Sequence, residues 1–299
     1  MIKTTFKASD GKLLALYTWD EVENPIGAIK ISHGMAEHSA RYDDFAKFLN
    51  SEGYVVVMND LRAHGETCGA ENYGYDEGDI FSNNVSDQLE VLDYMREHYK
   101  GLPLFMMGHS YGSFIAQAVI ERAPNVKGYI VCGSCYMKGL LYKVGHMISN
   151  HMCKKQGGRT PCTMLANMSF GAYEKKFPGK NCWLNREQSE VDKYNADPAC
   201  GFTCSANFYR SFMGAMNPLY SKTAVAGIDK NKPIFIISGA LDPVGNYGKG
   251  VDKLLEFYQK VGVVDVTEKL YEGARHEILN ETHKNETYQD IIKWLNAHR

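Results

Sequence analysis

Runs of apolar residues recur along the chain at intervals that suggest buried strands. Four of six such runs are nearly continuous, which is typical of strands buried on both faces of a sheet. The last run is more mixed in polarity, as an edge strand would be. The six runs are AIKISHG (28–34), YVVVMND (54–60), LPLFMMG (102–108), VKGYIVCGS (126–134), KPIFIISGA (232–240) and DVTEKLYEG (265–273).

Segments with helical character separate most of these runs. In one of them, 83–101, the apolar residues form a single stripe, and Asn83 or Asn84 is the expected N-cap. Alternating strands and helices predict an α/β protein with a mostly parallel sheet and helices on both faces. The first residues differ, because Asp10-Gly11 stands between two extended runs and predicts an antiparallel hairpin at the sheet edge.

The alternation breaks between about residue 136 and residue 220. This segment is rich in Met, Tyr, Phe and Cys and contains no strand-like run. One interpretation is a helical excursion that packs its own small core. The other is a lid over the carboxyl ends of the strands, where ligands bind in sheets of this kind. Composition does not separate the two, since methionine serves both adaptable surfaces and cores.

Charge and composition exclude several classes of function. The chain has 299 residues and a formal net charge of −2, which gives no electrostatic reason to expect nucleic acid or an anionic membrane as a partner. The N-terminus has no apolar stretch of signal-peptide length, so we expect a cytoplasmic protein. The eight cysteines include one lone C-x-x-C, at 132–135, and free thiols are expected rather than a disulfide or a metal site.

The stretch LFMMGHSYGSF (104–114) is the first to indicate chemistry. Its Gly108-His109-Ser110-Tyr111-Gly112 fits the G-x-S-x-G nucleophile elbow. The pattern alone is only suggestive, but here it follows a predicted strand and precedes a predicted helix. Small residues beside the serine allow the strained backbone that exposes its Oγ. We therefore predict that Ser110 is a nucleophile rather than a loop serine.

A serine nucleophile needs a base, and the base needs an acid that orients it. In this fold type the acid follows a later strand and the histidine follows the last strand. Asp242 in FIISGALDPVG and His276 in KLYEGARHE have both the order and the place. The developing oxyanion also needs donors, for which we expect the backbone N–H groups of Met35 and Tyr111. The alternative for the loop at Met35 is a tight strand–helix connection.

Other polar residues near strand ends have simpler interpretations. His109 lies inside the elbow, and we expect its side chain to be structural and directed away from the nucleophile's pocket. Asp60 ends a strand and is interpreted as loop architecture, with a contact behind the catalytic groups as the alternative. Glu277 directly follows His276 and is expected to point elsewhere if the histidine faces the serine.

Five segments together resemble a known family. SHGMAEHSARYDDFAKFL, NDLRAHGET, GHSYGS, GALDPVG and GARHEILNET occur in the order and spacing of the monoacylglycerol lipase and bacterial lysophospholipase group of the α/β-hydrolases, which are serine aminopeptidase S33-type hydrolases. The resemblance covers nearly the whole chain apart from the middle of 136–220. It implies an α/β-hydrolase fold with a mostly parallel eight-stranded sheet, a core domain of residues 1–135 and 221–299, and a helical lid at 136–220.

The same resemblance implies roles for individual residues. Ser110 matches the nucleophile, Asp242 the acid and His276 the base, with Met35 and Tyr111 at the oxyanion hole.

Some positions depart from the family pattern. In the turn NDLRAHGET, Ala63 stands where the family commonly has glycine and Thr67 where it has serine, and Tyr111 occupies a place often held by methionine. None of these departures removes a triad residue, but they leave the preference for acyl chain and head group open.

Family members hydrolyse carboxylic esters of single-acyl lipids, need no cofactor, and open to the lipid through the lid. For this chain we expect no cofactor or metal and a transient contact with a membrane or micelle through the lid. We therefore expect a serine hydrolase acting on a monoacylglycerol, a lysophospholipid or another small ester. A short-chain carboxylesterase, a thioesterase or an S33-type aminopeptidase would share the machinery. An epoxide hydrolase would require aspartate at position 110, where this chain has serine, so this class is disfavoured. A non-catalytic binding protein on the same fold has little reason to keep all three triad residues.

Overall fold

The computed structural model describes residues 1–299. Its centre is one eight-stranded sheet with the strand order β1-β2-β4-β3-β5-β6-β7-β8. This confirms the predicted number of strands. The strands are β1 (Ile2–Lys7), β2 (Leu13–Trp19), β3 (Gly27–Ser32), β4 (Tyr54–Asn59), β5 (Leu104–His109), β6 (Gly128–Cys132), β7 (Ile234–Gly239) and β8 (Val266–Tyr271).

Helices follow or precede most of the strands. No helix is both long enough and apolar enough to cross a membrane. Short 3-10 helices lie at Ser39–Tyr42, Ala70–Asn72 and Pro218–Tyr220. The α-helices are α1 (Asp43–Ser51), α2 (Gly65–Cys68), α3 (Ile80–His98), α4 (Tyr111–Ile120), α5 (Leu140–Gln156), α6 (Thr163–Glu174), α7 (Gln188–Ala196), α8 (Ala206–Met216), α9 (Lys222–Ala226), α10 (Lys249–Val261) and α11 (Lys284–His298).

Strands β3 to β8 are parallel and carry helices on both faces, as the apolar runs predict. Successive residues of a strand point to opposite faces, so Val57 of β4 joins one hydrophobic core and Val56 joins the other. The first core is completed by α3, α4 and α10, and the second by α1 and α11. This arrangement gathers the carboxyl ends of the parallel strands at one edge.

The two ends of the sheet also match the sequence pattern. Strands β1 and β2 pair antiparallel across the turn at Asp10-Gly11, which confirms the predicted hairpin. Strand β8 is the opposite edge strand, and its residues are mostly half-buried rather than buried. Its mixed polarity follows from this partial exposure.

The predicted N-cap of α3 is wrong. The helix begins at Ile80, and Asp79 caps it by accepting a 3.2 Å hydrogen bond from the backbone N–H of Ser82. Asn84 is buried inside the helix, where its Oδ1 accepts from the backbone N–H of Arg62 at 2.8 Å. The polar run before the apolar stripe therefore belongs to the first helical turns, which a cap-residue pattern cannot distinguish from the cap itself.

Residues 136–220, here called the insertion, connect β6 to β7 and contain α5 to α8 and no strand. Part of the insertion packs its own small core, which includes Phe177, Trp183 and Tyr194. Its last helix, α8, instead packs through Phe208 and Phe212 into the first of the two cores of the sheet, here called the main core. The insertion therefore has a small core of its own, as one interpretation predicts, and in addition joins the core of the sheet through α8, which was not predicted.

The two ends of the insertion are joined by hydrogen bonds. The backbone N–H of Gly139 donates to Asn217 Oδ1 at 3.0 Å, and Asn217 Nδ2 donates back to Gly139 O at 3.1 Å. Beside this pair, the N–H of Met137 donates to the hydroxyl of Tyr220 at 3.2 Å, and that hydroxyl donates to Gln117 Oε1 in α4 at 2.9 Å. The insertion thus leaves and rejoins the sheet layer at one place.

Candidate active site

Ser110 stands on a strained turn between β5 and α4. Its backbone has φ 53° and ψ −120°, a conformation that non-glycine residues rarely adopt. The N–H of Ser110 donates to Cys132 O at 3.0 Å, and its carbonyl accepts from the N–H of Ser113 at 2.8 Å. These bonds to β6 and α4 hold the turn in its strained form.

Both glycines of the elbow are required by close backbone approach. A Cβ on Gly112 would lie 2.5 Å from the carbonyl oxygen of His33, and one on Gly108 would lie 2.9 Å from Cβ of Ala116. Neither distance is compatible with a side chain. The motif therefore has the strand–turn–helix setting that distinguishes an elbow from a loop serine.

Asp242 and His276 are brought together at the carboxyl edge of the sheet. Asp242 follows β7 and His276 follows β8, and His276 Nδ1 lies 2.8 Å from Asp242 Oδ2. The carboxylate is held by the hydroxyl of Ser238, at 3.1 Å, and by the N–H of Val244, at 2.8 Å. A carboxylate can only accept here, so Nδ1 carries the proton and Nε2 remains free to act as a base.

Ser110 lies in the same cavity as His276, although no hydrogen bond joins their side chains. Such contacts are often long in the absence of substrate. The loop after β3 packs directly against the serine, because a Cβ on Gly34 would lie 3.0 Å from Cβ of Ser110. The N–H of Met35 in this loop has no acceptor within the chain. Tyr111 is the first residue of α4, where helix geometry leaves the N–H without a helical partner.

His109 does not point away from the nucleophile's pocket, which corrects the prediction. Its ring lies 4.8 Å from the ring of His276 and lines the cavity that contains Ser110. The structural part of the expectation holds: Nδ1 is 3.1 Å from the hydroxyl of Tyr42, and Nε2 is 3.3 Å from the backbone oxygen of His276. The place of His109 directly before the serine therefore does not determine the direction of its side chain.

An ion-pair network that the sequence did not reveal lies beneath the site. Arg41 Nη1 and Nη2 donate to both carboxylate oxygens of Glu277, at 2.7 and 2.9 Å, and Nη1 also donates to Glu37 at 2.5 Å. Glu37 in turn accepts from the N–H of Gly34. Arg41 therefore connects the loop that carries Met35 with the residue that follows His276. Glu277 is paired with Arg41 but also lines the cavity that contains Ser110, so, like His109, it is not directed away from that cavity as expected.

The electrostatics of this network follow from burial and pairing. Burial alone would raise the pKa of Glu37, but the charge of Arg41 and the hydrogen bond to His109 hold it well below its usual value. Burial alone would lower the pKa of His109, but the hydrogen bond to Glu37 and the charge of that carboxylate raise it. Glu37 is therefore ionised at neutral pH. Arg41 and Glu277 lie 236 positions apart in the chain, and no local motif indicates such a pair.

Asp60 and the unusual turn residues have structural roles. Asp60 Oδ1 accepts from the N–H of Ser39 at 2.8 Å, which confirms loop architecture. The hydroxyl of Thr67 donates to the carbonyl of Asp60 at 2.6 Å, a bond that a serine would also form. Ala63 has φ 70°, which explains why glycine suits this position in the family. All eight cysteines are free.

Two cavities of different polarity meet at Ser110. One, of about 220 Å³, has 16 hydrophobic residues among the 19 that line it and runs between α4, α5, α6 and α8. The other, of about 270 Å³, is mixed in polarity and contains His276, Asn167 and Glu174. Ser110 and Met35 line both. A larger groove, of about 990 Å³, lies between α3 and α8 and contains none of the predicted site residues.

The insertion supplies much of the wall of both cavities. Trp183 packs 5.1 Å from the ring of His276, and Phe170 stacks on Trp183 at 5.5 Å. Sequence reasoning did not single out these aromatic residues. Their occurrence in a segment rich in Phe, Tyr and Met is the only sequence signal, and it does not specify which of them face the serine.

Comparison with known proteins places this geometry in a family. A family model described as "Serine aminopeptidase, S33" matches residues 23–283. The human monoglyceride lipase is 28% identical over 290 residues, which cover 96% of this chain and 88% of that protein.

Solved structures agree with the sequence comparisons. A thermostable carboxyl esterase from Bacillus coagulans, crystallised with glycerol, is 26% identical and superposes with a TM-score of 0.90 over 99% of this chain and 98% of the esterase. A soluble variant of the Saccharomyces cerevisiae monoglyceride lipase, bound to a substrate analog, shares the fold with a TM-score of 0.76, at 22% identity, over 99% of this chain and 94% of the lipase. The family model covers most of the chain and the fold agrees along nearly its whole length. The chain belongs to the serine aminopeptidase S33 family of the α/β-hydrolases.

Proposed function

We propose that this protein hydrolyses carboxylic esters of single-acyl lipids, with Ser110 as nucleophile, His276 as base and Asp242 as the orienting acid. The observation that carries the proposal is the position of Ser110 where an apolar cavity and a more polar cavity meet. An ester of a fatty acid with a polar alcohol has the same division on the two sides of its carbonyl group. The monoglyceride lipases among the relatives give independent support for this substrate class.

The reaction follows from the positions of the groups. Ser110 Oγ attacks the ester carbonyl while His276 Nε2 accepts the serine proton. Asp242 keeps the proton of the imidazole on Nδ1 and stabilises the imidazolium that forms. The oxyanion accepts hydrogen bonds from the N–H groups of Met35 and Tyr111. Nε2–H then protonates the leaving alcohol, and water hydrolyses the acyl-enzyme by the same steps.

The apolar cavity is suited to the acyl chain. Its lining includes Phe114 of α4 and, from the insertion, Tyr142, Leu165, Phe212 and Met213. Contact with these side chains would remove an alkyl chain from water at about 0.8 kcal/mol per methylene. We therefore propose that longer acyl chains are preferred over acetate.

We propose further that the insertion acts as a lid that contacts a membrane or micelle. The exposed apolar side chains of the protein are concentrated on α5 and α6, where Leu140 is 74% exposed and Met147 is 68% exposed. An apolar surface beside the opening of the acyl cavity would let a lipid enter without crossing water. In this division the core domain is 1–135 with 221–299, and the lid is 136–220.

An aminopeptidase is the second candidate, because one acidic group in the polar cavity has no cationic partner. Glu37 and Glu277 are paired with Arg41, but Glu174 accepts only the N–H of Asn181, at 3.2 Å. A free carboxylate at this position could bind the amino group of a peptide. The second cavity at Ser110 is lined almost wholly by apolar side chains, and this favours a lipid ester over a peptide as substrate.

Two measurements test the proposal. A fluorophosphonate probe should label the wild type and leave Ser110→Ala unlabelled, and labelling of both would reject Ser110 as nucleophile. A panel of esters from acetate to stearate, extended with monoacylglycerols, lysophospholipids, acyl thioesters and aminoacyl anilides, identifies the substrate class. We expect the highest kcat/KM with a long-chain monoacyl ester. A maximum at acetate, at a thioester or at an aminoacyl anilide would replace the lipid proposal by the corresponding activity.

A further inference from the structure

Three side chains with metal-binding atoms meet outside the triad. His38 precedes the 3-10 helix at Ser39–Tyr42, whereas Asp197 and Cys200 lie in the turn that follows α7. One ligand atom from each residue lies within 4.8 Å of the other two. These segments are about 160 positions apart in the chain, so the fold, and not a local motif, creates the cluster.

The turn after α7 prearranges two of the three groups. Asp197 Oδ1 accepts from the N–H of Ala199 at 2.8 Å, which leaves Oδ2 directed at His38 Nε2, also at 2.8 Å. The N–H of Cys200 donates to the carbonyl of Asp197 at 3.0 Å, which closes the turn. The N–H of Gly201 then donates to Ala36 O at 2.9 Å and fixes the turn to the loop that precedes His38.

The geometry requires only small adjustments for a shared cation. Zinc binds sulfur at about 2.3 Å and imidazole nitrogen or carboxylate oxygen at about 2.0–2.2 Å, so ligand atoms around one tetrahedral ion lie roughly 3.3–3.8 Å apart. The His38–Asp197 contact of 2.8 Å would open slightly and the thiol of Cys200 would approach by at most about 1.5 Å. Side-chain rotation alone covers such shifts.

The cluster is open to solvent and includes a carboxylate of its own. The Asp197 side chain is 33% exposed and that of His38 is 16% exposed, so a cation and a water ligand can reach the cluster from solvent. Sulfur, imidazole and carboxylate together favour zinc over the hard cations calcium and magnesium.

We propose that His38, Asp197 and Cys200 bind a thiophilic divalent cation, with Zn²⁺ as the best fit and water as the fourth ligand. The ion is held away from the triad and takes no part in the ester chemistry. It would join the loop that carries Met35 to the turn whose next residues, Gly201 to Thr203, line the polar cavity. The metal site itself does not depend on the proposed function. Only its effect on the wall of the polar cavity does.

Cobalt substitution tests the site directly. Full-length protein, freed of metal by a chelator and kept reduced, is titrated with Co²⁺. We expect one equivalent to bind and to give a thiolate-to-cobalt charge-transfer band together with the strong visible bands of tetrahedral cobalt, and Zn²⁺ to abolish both. Absence of the charge-transfer band from the wild type would overturn the proposal.

Variants distinguish cobalt binding at this site from binding at other cysteines. Cys200→Ser should lose the charge-transfer band, and Asp197→Asn should weaken cobalt binding by about a hundredfold, since loss of even an outer-shell partner costs ten- to a hundredfold. Cys68→Ser is the matched control, because Cys68 is also free and half-buried. A band that persists in Cys200→Ser, or disappears in Cys68→Ser, contradicts the assignment. Ser110→Ala should keep the band, so this outcome is independent of whether Ser110 is the nucleophile.

Discussion

At the scale of single residues, Gly112 is a position in the site with no room for a side chain. A methyl group there would meet the backbone carbonyls of Ser32 and His33 at the end of β3, which cannot move without displacing Met35. We expect Gly112→Ala to lower the free energy of unfolding by about 3 kcal/mol, the upper end of overpacking costs, and to abolish labelling by a fluorophosphonate. Urea unfolding and the labelling assay measure the two effects.

Gly171 is the control for this substitution. It lies inside α6, and an added Cβ would meet only Cβ of Asn167, at an ordinary 3.7 Å. Alanine is the better helix former by roughly 1 kcal/mol, so Gly171→Ala should leave the melting temperature unchanged or raise it. A loss of stability equal to that of Gly112→Ala would mean that close approach to β3 is not the cause.

Lys30 is a charged residue at the centre of β3 with no carboxylate partner. Its side chain is fully buried, and Nζ donates only to the carbonyl of Ile31 at 2.8 Å. Burial lowers the pKa of Lys30 to about 7, although the charge of Asp87 opposes the shift. Asp87 itself is paired with Arg62. The folded protein therefore holds a lysine that loses its proton far more readily than the unfolded chain does.

The stability should consequently rise with pH between about 7 and 10. In this range the unfolded chain binds a proton at Lys30 that the folded protein does not, and below about pH 7 both states are protonated and the full cost applies. Lys30→Met should raise the free energy of unfolding near pH 7 by ~3 kcal/mol and flatten the rise. Urea unfolding near pH 7 and near pH 10 measures this, with exposed Lys127→Met as control. An equal rise in wild type and Lys30→Met would contradict the assignment.

The sequence predicts residues whose role depends on chain order, and it misses residues whose role depends on distant contacts. Ser110, Asp242 and His276 could be selected because each follows a recognisable strand. The direction of the His109 side chain could not, because it depends on Tyr42 and the loop at His276, which only the fold brings near. Lys30 likewise occurs in an otherwise apolar strand, and nothing in the local pattern marks its burial.

At the scale of elements, Arg41 joins the loop after β3 to the loop after β8. Arg41→Met would leave Glu37 and Glu277 buried without a cation, which typically costs about 3–5 kcal/mol. We expect lower stability and a lower kcat, because the loop that carries Met35 and the loop that carries His276 lose a common support. Adding Glu277→Gln to this variant removes one of the unpaired charges and should restore part of the stability. If the double variant is no more stable than Arg41→Met, the pairing is not the source of the effect.

The exposed face of α5 gives a prediction about lipid surfaces. Leu140 and Met147 lie two turns apart on one side of this helix and do not line the apolar cavity at Ser110. Leu140→Gln with Met147→Gln should weaken binding to phosphatidylcholine vesicles by roughly tenfold or more, since each side chain contributes about 1.5–3 kcal/mol when fully buried. Vesicle sedimentation measures the change, and kcat/KM for a soluble ester should stay the same.

Val264 provides the comparison for that experiment. It is 79% exposed and stands before β8, at the edge of the sheet opposite the active site. Val264→Gln should leave vesicle binding intact. Equal weakening by all three substitutions would indicate a general loss of surface apolarity and reject α5 as the contact.

Helices and strands can be predicted from the sequence where a short segment of the chain is enough to mark them. The buried strands of the parallel sheet appear as apolar runs, and β1 and β2 are marked by the turn between them. The start of α3 was misplaced because Asp79, Asn83 and Asn84 are all good capping residues, and only the fold selects among them. The order of helices in the insertion was not predictable, since its apolar residues follow no single period.

At the scale of the whole molecule, stability is unevenly distributed. Strands β3 to β5 are buried along their full length, whereas α5 buries only Gly145 and Ser149, and α6 buries only Leu165. We expect amides of α5 and α6 to exchange with deuterium faster than those of the central strands, because few buried contacts oppose local opening. Exchange mass spectrometry measures the difference. Equal protection of helices and strands would mean that the insertion opens only when the whole domain unfolds.

The hydrogen bonds that join Gly139 to Asn217 have a consequence for how this scaffold can diversify. Because the polypeptide departs and returns through one narrow neck beside Tyr220, its length and sequence beyond that point are not constrained by the strand order. A segment from another hydrolase could be grafted at the same neck if it replaced the contacts that α8 makes with the core and that Trp183 makes with His276. Replacing the insertion could then change the substrate preference without changing the residues that carry out the reaction.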